Sequence, residues 1–164
     1  MPNISKLGRA RCLGSAAVLA VVLSAGAALT PSATADAAAT ERATTFELVG
    51  KQTSAGVVDV GKGGTSIGDQ NVVHEDLYRD GKKVGDHSAV CTVTQVSPTA
   101  LQCLGTFLLP EGQFAAQSLL HLPAPASVDV AITGGSGDYS TGQGFIRTVP
   151  AGETERHFTV HLLP

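Results

Sequence analysis

Alternation of apolar and polar positions at a period of two is the dominant pattern of this chain, and it predicts strands. Thr44 to Lys51 (TTFELVGK) alternates, and Gly56 to Val60 reads as a short second piece. Gly61 to Gly68 (GKGGTSIG) is a loop by composition. Asn71 to Tyr78 is strand-like and meets Asp80 and Gly81, a two-residue hairpin signal of type I′. Folding about that turn puts Tyr78 opposite Lys83 and Leu77 opposite Val84. Carried further, Glu75 would face Asp86, a like-charge pair that weakens a ladder. Gly85 is therefore expected to mark a bulge or the end of close pairing.

Ser88 to Val96 and Thr99 to Leu109 form the next predicted hairpin, with Ser97 and Pro98 in its turn. Leu109 to Gly112 makes another turn, with proline at its second position. Phe114 to Leu122 continues the sheet, and Pro123 to Pro125 break it. Ser127 to Thr133 and Tyr139 to Arg147 flank a glycine-rich corner, Gly134 to Gly137. Gly142 and Gly144 leave one side of the second run nearly bare. Thr154 to Leu163 closes the chain. No segment shows helical periodicity. About eight strands, with turn signals every eight to twelve residues, predict an all-β fold. A closed eight-stranded antiparallel barrel is preferred over a sandwich because closure removes exposed edges.

The first 35 residues do not fit this pattern. Lys6, Arg9 and Arg11 precede an apolar run from Leu13 to Leu29, and Ala33-Thr34-Ala35 is a small-x-small cleavage site. The expectation is a signal peptide over 1–35, a short disordered tail over 36–43 and a barrel domain over 44–164. A transmembrane anchor is the competing reading, but the run ends in Pro31 and small residues without a basic flank. The expected mature protein is secreted, with no membrane attachment after cleavage.

Charge and composition narrow the partners. All 14 acidic residues but only 8 of the 11 basic ones lie beyond residue 35, a net charge of −6 for the mature chain. With no basic patch, nucleic acid is not expected as a partner. Trp is absent and aromatics make up 4% of the chain, which argues against a stacking platform for sugars or bases.

Cys91 and Cys103 are the two cysteines of the mature chain, in an oxidising compartment. A hairpin centred on Ser97 pairs positions whose numbers sum to 194, which sets Cys91 opposite Cys103 within disulfide reach. No CxxC spacing and no further cysteine suggest a metal site. His157 and His161 have helical ligand spacing but fall on a strand, where four residues span about 13 Å. No metal and no cofactor are expected. The glycine run leads into a strand without a GK[ST] ending, so it is no phosphate loop, and no GxSxG motif appears.

The corner GGSGDY followed by STGQGF, together with GDQNVVHEDLYRDGKKVGDHSAVC, resembles the allene oxide cyclase and dirigent protein superfamily in its bacterial secreted form. The resemblance covers roughly Thr44 to Leu163. It implies an eight-stranded antiparallel barrel with an apolar pocket at its mouth for a small hydrophobic or phenolic molecule. It also implies guidance of a cyclisation or isomerisation without a metal, and leaves room for a homo-oligomer, since dirigent proteins are often trimers. Coupling-type dirigent proteins carry an arginine where this chain has Gln143, which counts against radical coupling.

Two faces of one strand compete for the chemistry. Val73, Glu75 and Leu77 share one side; His74, Asp76 and Tyr78 share the other. If the first lines the barrel, Glu75 is desolvated and its pKa rises toward a general-acid role. If the second does, Asp76 and Tyr78 form a polar pocket floor, the arrangement the family resemblance implies. A solvated acidic pair beside a turn is the third reading. Tyr139, Gln143, Phe145 and Arg147 are expected on one face of the later strand as a pocket wall, with Arg147 as an anion or carbonyl clamp. An exposed face with a packed tyrosine is the alternative. The competing functions are a non-enzymatic ligand-binding barrel and a structural or interaction barrel at the cell surface.

Overall fold

A computed structural model describes residues 43–61 and 63–164. The expected signal peptide and all but the last residue of the expected tail lie outside them. Eight strands follow in chain order: β1 (Thr44–Val58), β2 (Gln70–Arg79), β3 (Lys82–Gln95), β4 (Ala100–Leu109), β5 (Gly112–His121), β6 (Val128–Gly135), β7 (Gln143–Pro150) and β8 (Glu155–Leu163). Each pairs antiparallel with its neighbour, and β8 returns to β1, closing an up-and-down barrel.

Three boundaries differ from the pattern. β1 is one strand of 15 residues where two pieces were expected. It runs through an irregularity between Gln52 and Ser54, so the small polar segment stays paired with β2. The strand expected from Ser88 begins at Lys82, directly after the hairpin turn. The run expected from Tyr139 begins at Gln143, because Gly137–Tyr139 is a 3₁₀ turn. Gly137 has φ of +61°, and Ser140 and Gly142 donate to the carbonyls of Gly137 and Tyr139. Those bonds close the chain on itself before it can enter a ladder.

Asp80 and Gly81 both take positive φ (51° and 75°), as a type I′ turn requires. Tyr78 faces Lys83, but the next pair is Leu77 with Gly85, so Val84 is an extra residue on β3. This bulge moves every later pair by one, and Glu75 faces His87 instead of Asp86. Asp76 faces Asp86 on the outside of the barrel, where the Lys83 ammonium bonds both at 2.8 and 3.3 Å.

Packing divides the interior into two halves. At one end Leu48, Leu77, Leu109, Phe114, Tyr139 and Val160 form a filled core, all 5% exposed or less. Phe107 stacks on Phe114 at 4.9 Å and meets Phe158 edge-on at 5.1 Å. Each such side chain contributes roughly 1.5–3 kcal/mol of burial. At the other end the strands enclose a hollow. The β5–β6 ladder runs only from Phe114↔Gly135 to Gln117↔Ala131. Beyond it, Ser118–His121 and Val128–Val130 diverge around the hollow end of the barrel.

Candidate functional site

The hollow is a cavity of about 570 Å³ lined mostly by apolar side chains, among them Ala89, Leu120, Val130, Ile146 and Phe158. Such a volume suits a small organic molecule. Asn71, Ser118 and Thr148 add polar points to the wall, and His87 and Arg156 are its ionisable members.

Glu75 lies behind the cavity wall, bonded to its members His87 and Arg156, 1% exposed and with both carboxylate oxygens engaged. Oε2 is 2.8 Å from His87 Nδ1, and Oε1 accepts from Arg156 Nη1 at 2.9 Å. Local structure explains the cluster. β2 alternation sends Glu75 inward, and the Val84 bulge brings His87 directly across. Arg156 is the second residue of β8 and faces Gly50, whose missing side chain makes room. A Cβ on Gly50 would lie 2.6 Å from Phe158 and 2.9 Å from Glu75 Oε2.

His87 is 6% exposed, stacked on Phe107 at 4.2 Å and edge-on to Phe158 at 5.3 Å. A carboxylate can only accept, so Nδ1 carries the proton toward Glu75, and in the neutral ring the lone pair then sits on Nε2. Among the described residues Nε2 has no hydrogen-bond partner, and it lies against Gly105, a residue of the cavity wall. Arg156 is one-third exposed and spends one of its N–H groups on Glu75, leaving others toward the cavity. The disulfide between Cys91 and Cys103 forms as the register required, with Cα atoms 4.0 Å apart, and it faces the cavity.

Of the residues singled out in the sequence, Val73, Cys91 and Cys103 line this cavity and Glu75 is buried behind its wall. Asp76 and Tyr78 point outward: Asp76 pairs with Lys83, and Lys51 sits over the Tyr78 ring at 5.0 Å. They do not form a pocket floor. Gln143, Phe145 and Arg147 share the outer face of β7 and Tyr139 stands apart from them, so the four form no pocket wall. Tyr139 is buried at the filled end, donating to Glu111 Oε2 at 3.4 Å, with burial and then the Glu111 charge pushing its hydroxyl pKa upward. Gln143 is exposed on the outer face, and Phe145 stacks there on His161 at 4.5 Å. Arg147 makes two 2.8 Å bonds to Asp129, also outside. The 3₁₀ turn ends the corner late, so the inward positions of β7 are Gly144, Ile146 and Thr148. His74, Asp76 and Asp86 gather within 4.8 Å of one another on the outside, but Lys83 already supplies their cation.

Sequence reasoning missed His87 and Arg156. The signal for His87 was present: a bulge at Gly85 moves the partner of Glu75 from Asp86 to His87. Arg156 carried no local signal, since only barrel closure brings β8 within reach of β2.

The family model described as the allene oxide cyclase barrel like domain matches residues 42–162. No curated protein matches the chain. Among solved structures, a pyocyanin demethylase is similar at 28% identity and a TM-score of 0.64, over 73% of this chain and 100% of that one. A pterocarpan synthase dirigent protein is similar at 13% identity and a TM-score of 0.59, over 74% of this chain and 88% of that one. A Diels–Alderase from Streptomyces koyangensis is similar at 14% identity and a TM-score of 0.63, over 74% of this chain and 63% of that one. The last two likenesses concern the fold alone.

Proposed function

The chain belongs to the allene oxide cyclase barrel-like family, and from that premise we propose that it binds a small, largely apolar molecule in the barrel and moves a proton on it. In this reading His87 Nε2 is the general base, and in the return step His87 is the acid. Glu75 holds the imidazole in the tautomer that leaves Nε2 open and stabilises the imidazolium once formed. Arg156 offers N–H groups to an oxygen that gains negative charge as the proton leaves. The apolar wall excludes water, which strengthens both effects. Proton removal of this kind serves the isomerisation or cyclisation of a hydrophobic or phenolic compound. The single observation that carries the reading is the unpartnered Nε2 of a buried, carboxylate-backed histidine in the wall of an apolar cavity.

The leader read in residues 1–35 supports a secreted protein, which would meet its ligand outside the cytoplasm. Likeness to a pyocyanin demethylase along that protein's whole length makes pyocyanin the first compound to try. The decisive experiment is mass spectrometry of whatever co-purifies with the native protein, followed by turnover of that compound and of pyocyanin. His87→Gln should lower turnover by about 10²–10⁴-fold while leaving ligand affinity nearly unchanged. A variant that turns over at the wild-type rate, or a cavity that takes up neither compound, removes the reading.

A further inference from the structure

Gly105 sits on the inner face of β4, paired with Ala89 of β3 and Ala116 of β5, and all three line the cavity. Small side chains along a wall are common and mean little alone. Here a second observation stands beside them. His87 is more than nine-tenths buried, and its unpartnered Nε2 lies against this spot. A Cβ built on Gly105 would be 2.9 Å from Nε2, with the Ser88 carbonyl at 3.4 Å and Ala89 Cβ at 3.5 Å next nearest. Backbone geometry does not demand glycine there, for Gly105 is not among the positive-φ residues. What glycine supplies is a bare Cα against the nitrogen, with no methyl group to crowd it.

We infer that the bare Cα of Gly105 is the approach through which the ligand reaches His87, and that it selects a flat ring presenting an O–H or N–H at its edge. The inference rests on the proposed role of His87. A planar edge slides over the Cα and places its heteroatom at hydrogen-bond distance from Nε2, while the ring faces rest against Ala89 and Ala116. The proton on that heteroatom passes to Nε2, leaving an oxyanion or amide anion on the ring and a charged imidazolium against Glu75. A tetrahedral carbon bearing substituents above and below the plane meets the wall first. Gly105 is a specificity-determining residue in this arrangement, acting by the side chain it lacks.

The test uses diethyl pyrocarbonate on the folded protein, with each histidine followed by peptide mass spectrometry and the exposed His157 as internal standard. His87 should react in the wild type despite its burial, and saturating 1-naphthol should protect it. Gly105→Ala should slow His87 modification by roughly tenfold or more relative to His157, with the melting temperature held. An unreactive His87 in the wild type defeats the base role and this inference together. A His87 that reacts equally in wild type and folded Gly105→Ala defeats the Gly105 approach alone. If Gly105→Ala does not fold, the wild-type complex with 1-naphthol decides by nuclear Overhauser contact between the ring protons and Gly105 Hα. Lack of that contact, from a ring seated elsewhere or not bound, overturns the inference.

Discussion

Arg79 at the filled end of the barrel has a partner on one side only. Its Nη1 donates to Glu111 Oε1 at 2.8 Å, its guanidinium lies 4.8 Å from the Phe46 ring centre, and among the described residues its Nε is buried without a partner. Burial works against its charge, and Glu111 and Tyr139 together more than offset this. Glu111 responds in kind: the Arg79 hydrogen bond, foremost, holds its carboxyl below the ordinary value of 4.5. The sign of the pH dependence follows. The unfolded chain takes up this proton at a higher pH than the folded one, so the pair's contribution is complete above that ordinary value. It is lost as pH falls through the lower folded pKa. Thermal unfolding followed by circular dichroism should therefore show a midpoint that drops on acidification from pH 4.5 downward. Glu111→Gln should flatten that part of the profile. The Glu111 side chain is 36% exposed, so water screens the pair and the change should be modest. An identical acid limb in wild type and variant would show that Glu111 is not its source.

At the scale of elements, the bulge at Val84 sets which side chain meets Glu75. Gly85 follows it, and a Cβ there would run into the Leu108 carbonyl of β4. A backbone atom cannot swing aside as a side chain can, so Gly85→Ala forces β3 and β4 apart or moves the bulge. A cost of about 3 kcal/mol is expected in urea unfolding, at the upper end for overpacking. If Gly85→Ala is instead neutral, the ladder is looser than the register indicates. The same element shows how far alternation could be read. The strands and their order, the hairpin turns and the facing of Cys91 with Cys103 were legible, because each depends on local period and turn chemistry. Which face of β2 turns inward was not legible, since both Val73, Glu75, Leu77 and His74, Asp76, Tyr78 mix polar with apolar. The later pocket wall was misplaced by treating Tyr139 as a strand residue, though it sits in a turn whose hydrogen bonds reset the alternation. Arg156 is 81 residues from Glu75 and could not be joined to it before the ring of strands closed.

The barrel is a cylinder whose two ends do different work. One is packed with aromatic and aliphatic side chains and carries the stability; the other gives up packing to keep a cavity. The wall is weakest where that cavity reaches it, because β5 and β6 stop pairing after Gln117↔Ala131. Alternate amides of Ser118–His121 and Val128–Val130 there lack the partner strand that others in the barrel have. Local opening follows missing hydrogen bonds and thin packing, so hydrogen exchange should be fast in these two segments and in Thr53–Val58 of β1, whose pairing with β8 ends at Lys51, and slowest at Phe114 and Val160. A ligand that binds only the folded barrel adds stability as RT ln(1 + [L]/Kd), about 2.7 kcal/mol at a hundredfold excess over Kd. If it sits in the cavity, its protection should exceed this global rise at Ser118–His121 and Val128–Val130, whose Ser118, Leu120, Val128 and Val130 side chains line the cavity. Hydrogen–deuterium exchange with saturating 1-naphthol reads both effects at once. Uniform protection would fit added stability without contact at the gap. Slowed exchange at the filled end alone would place the molecule outside the hollow, and the division of the barrel into a packed half and a binding half would have to be given up.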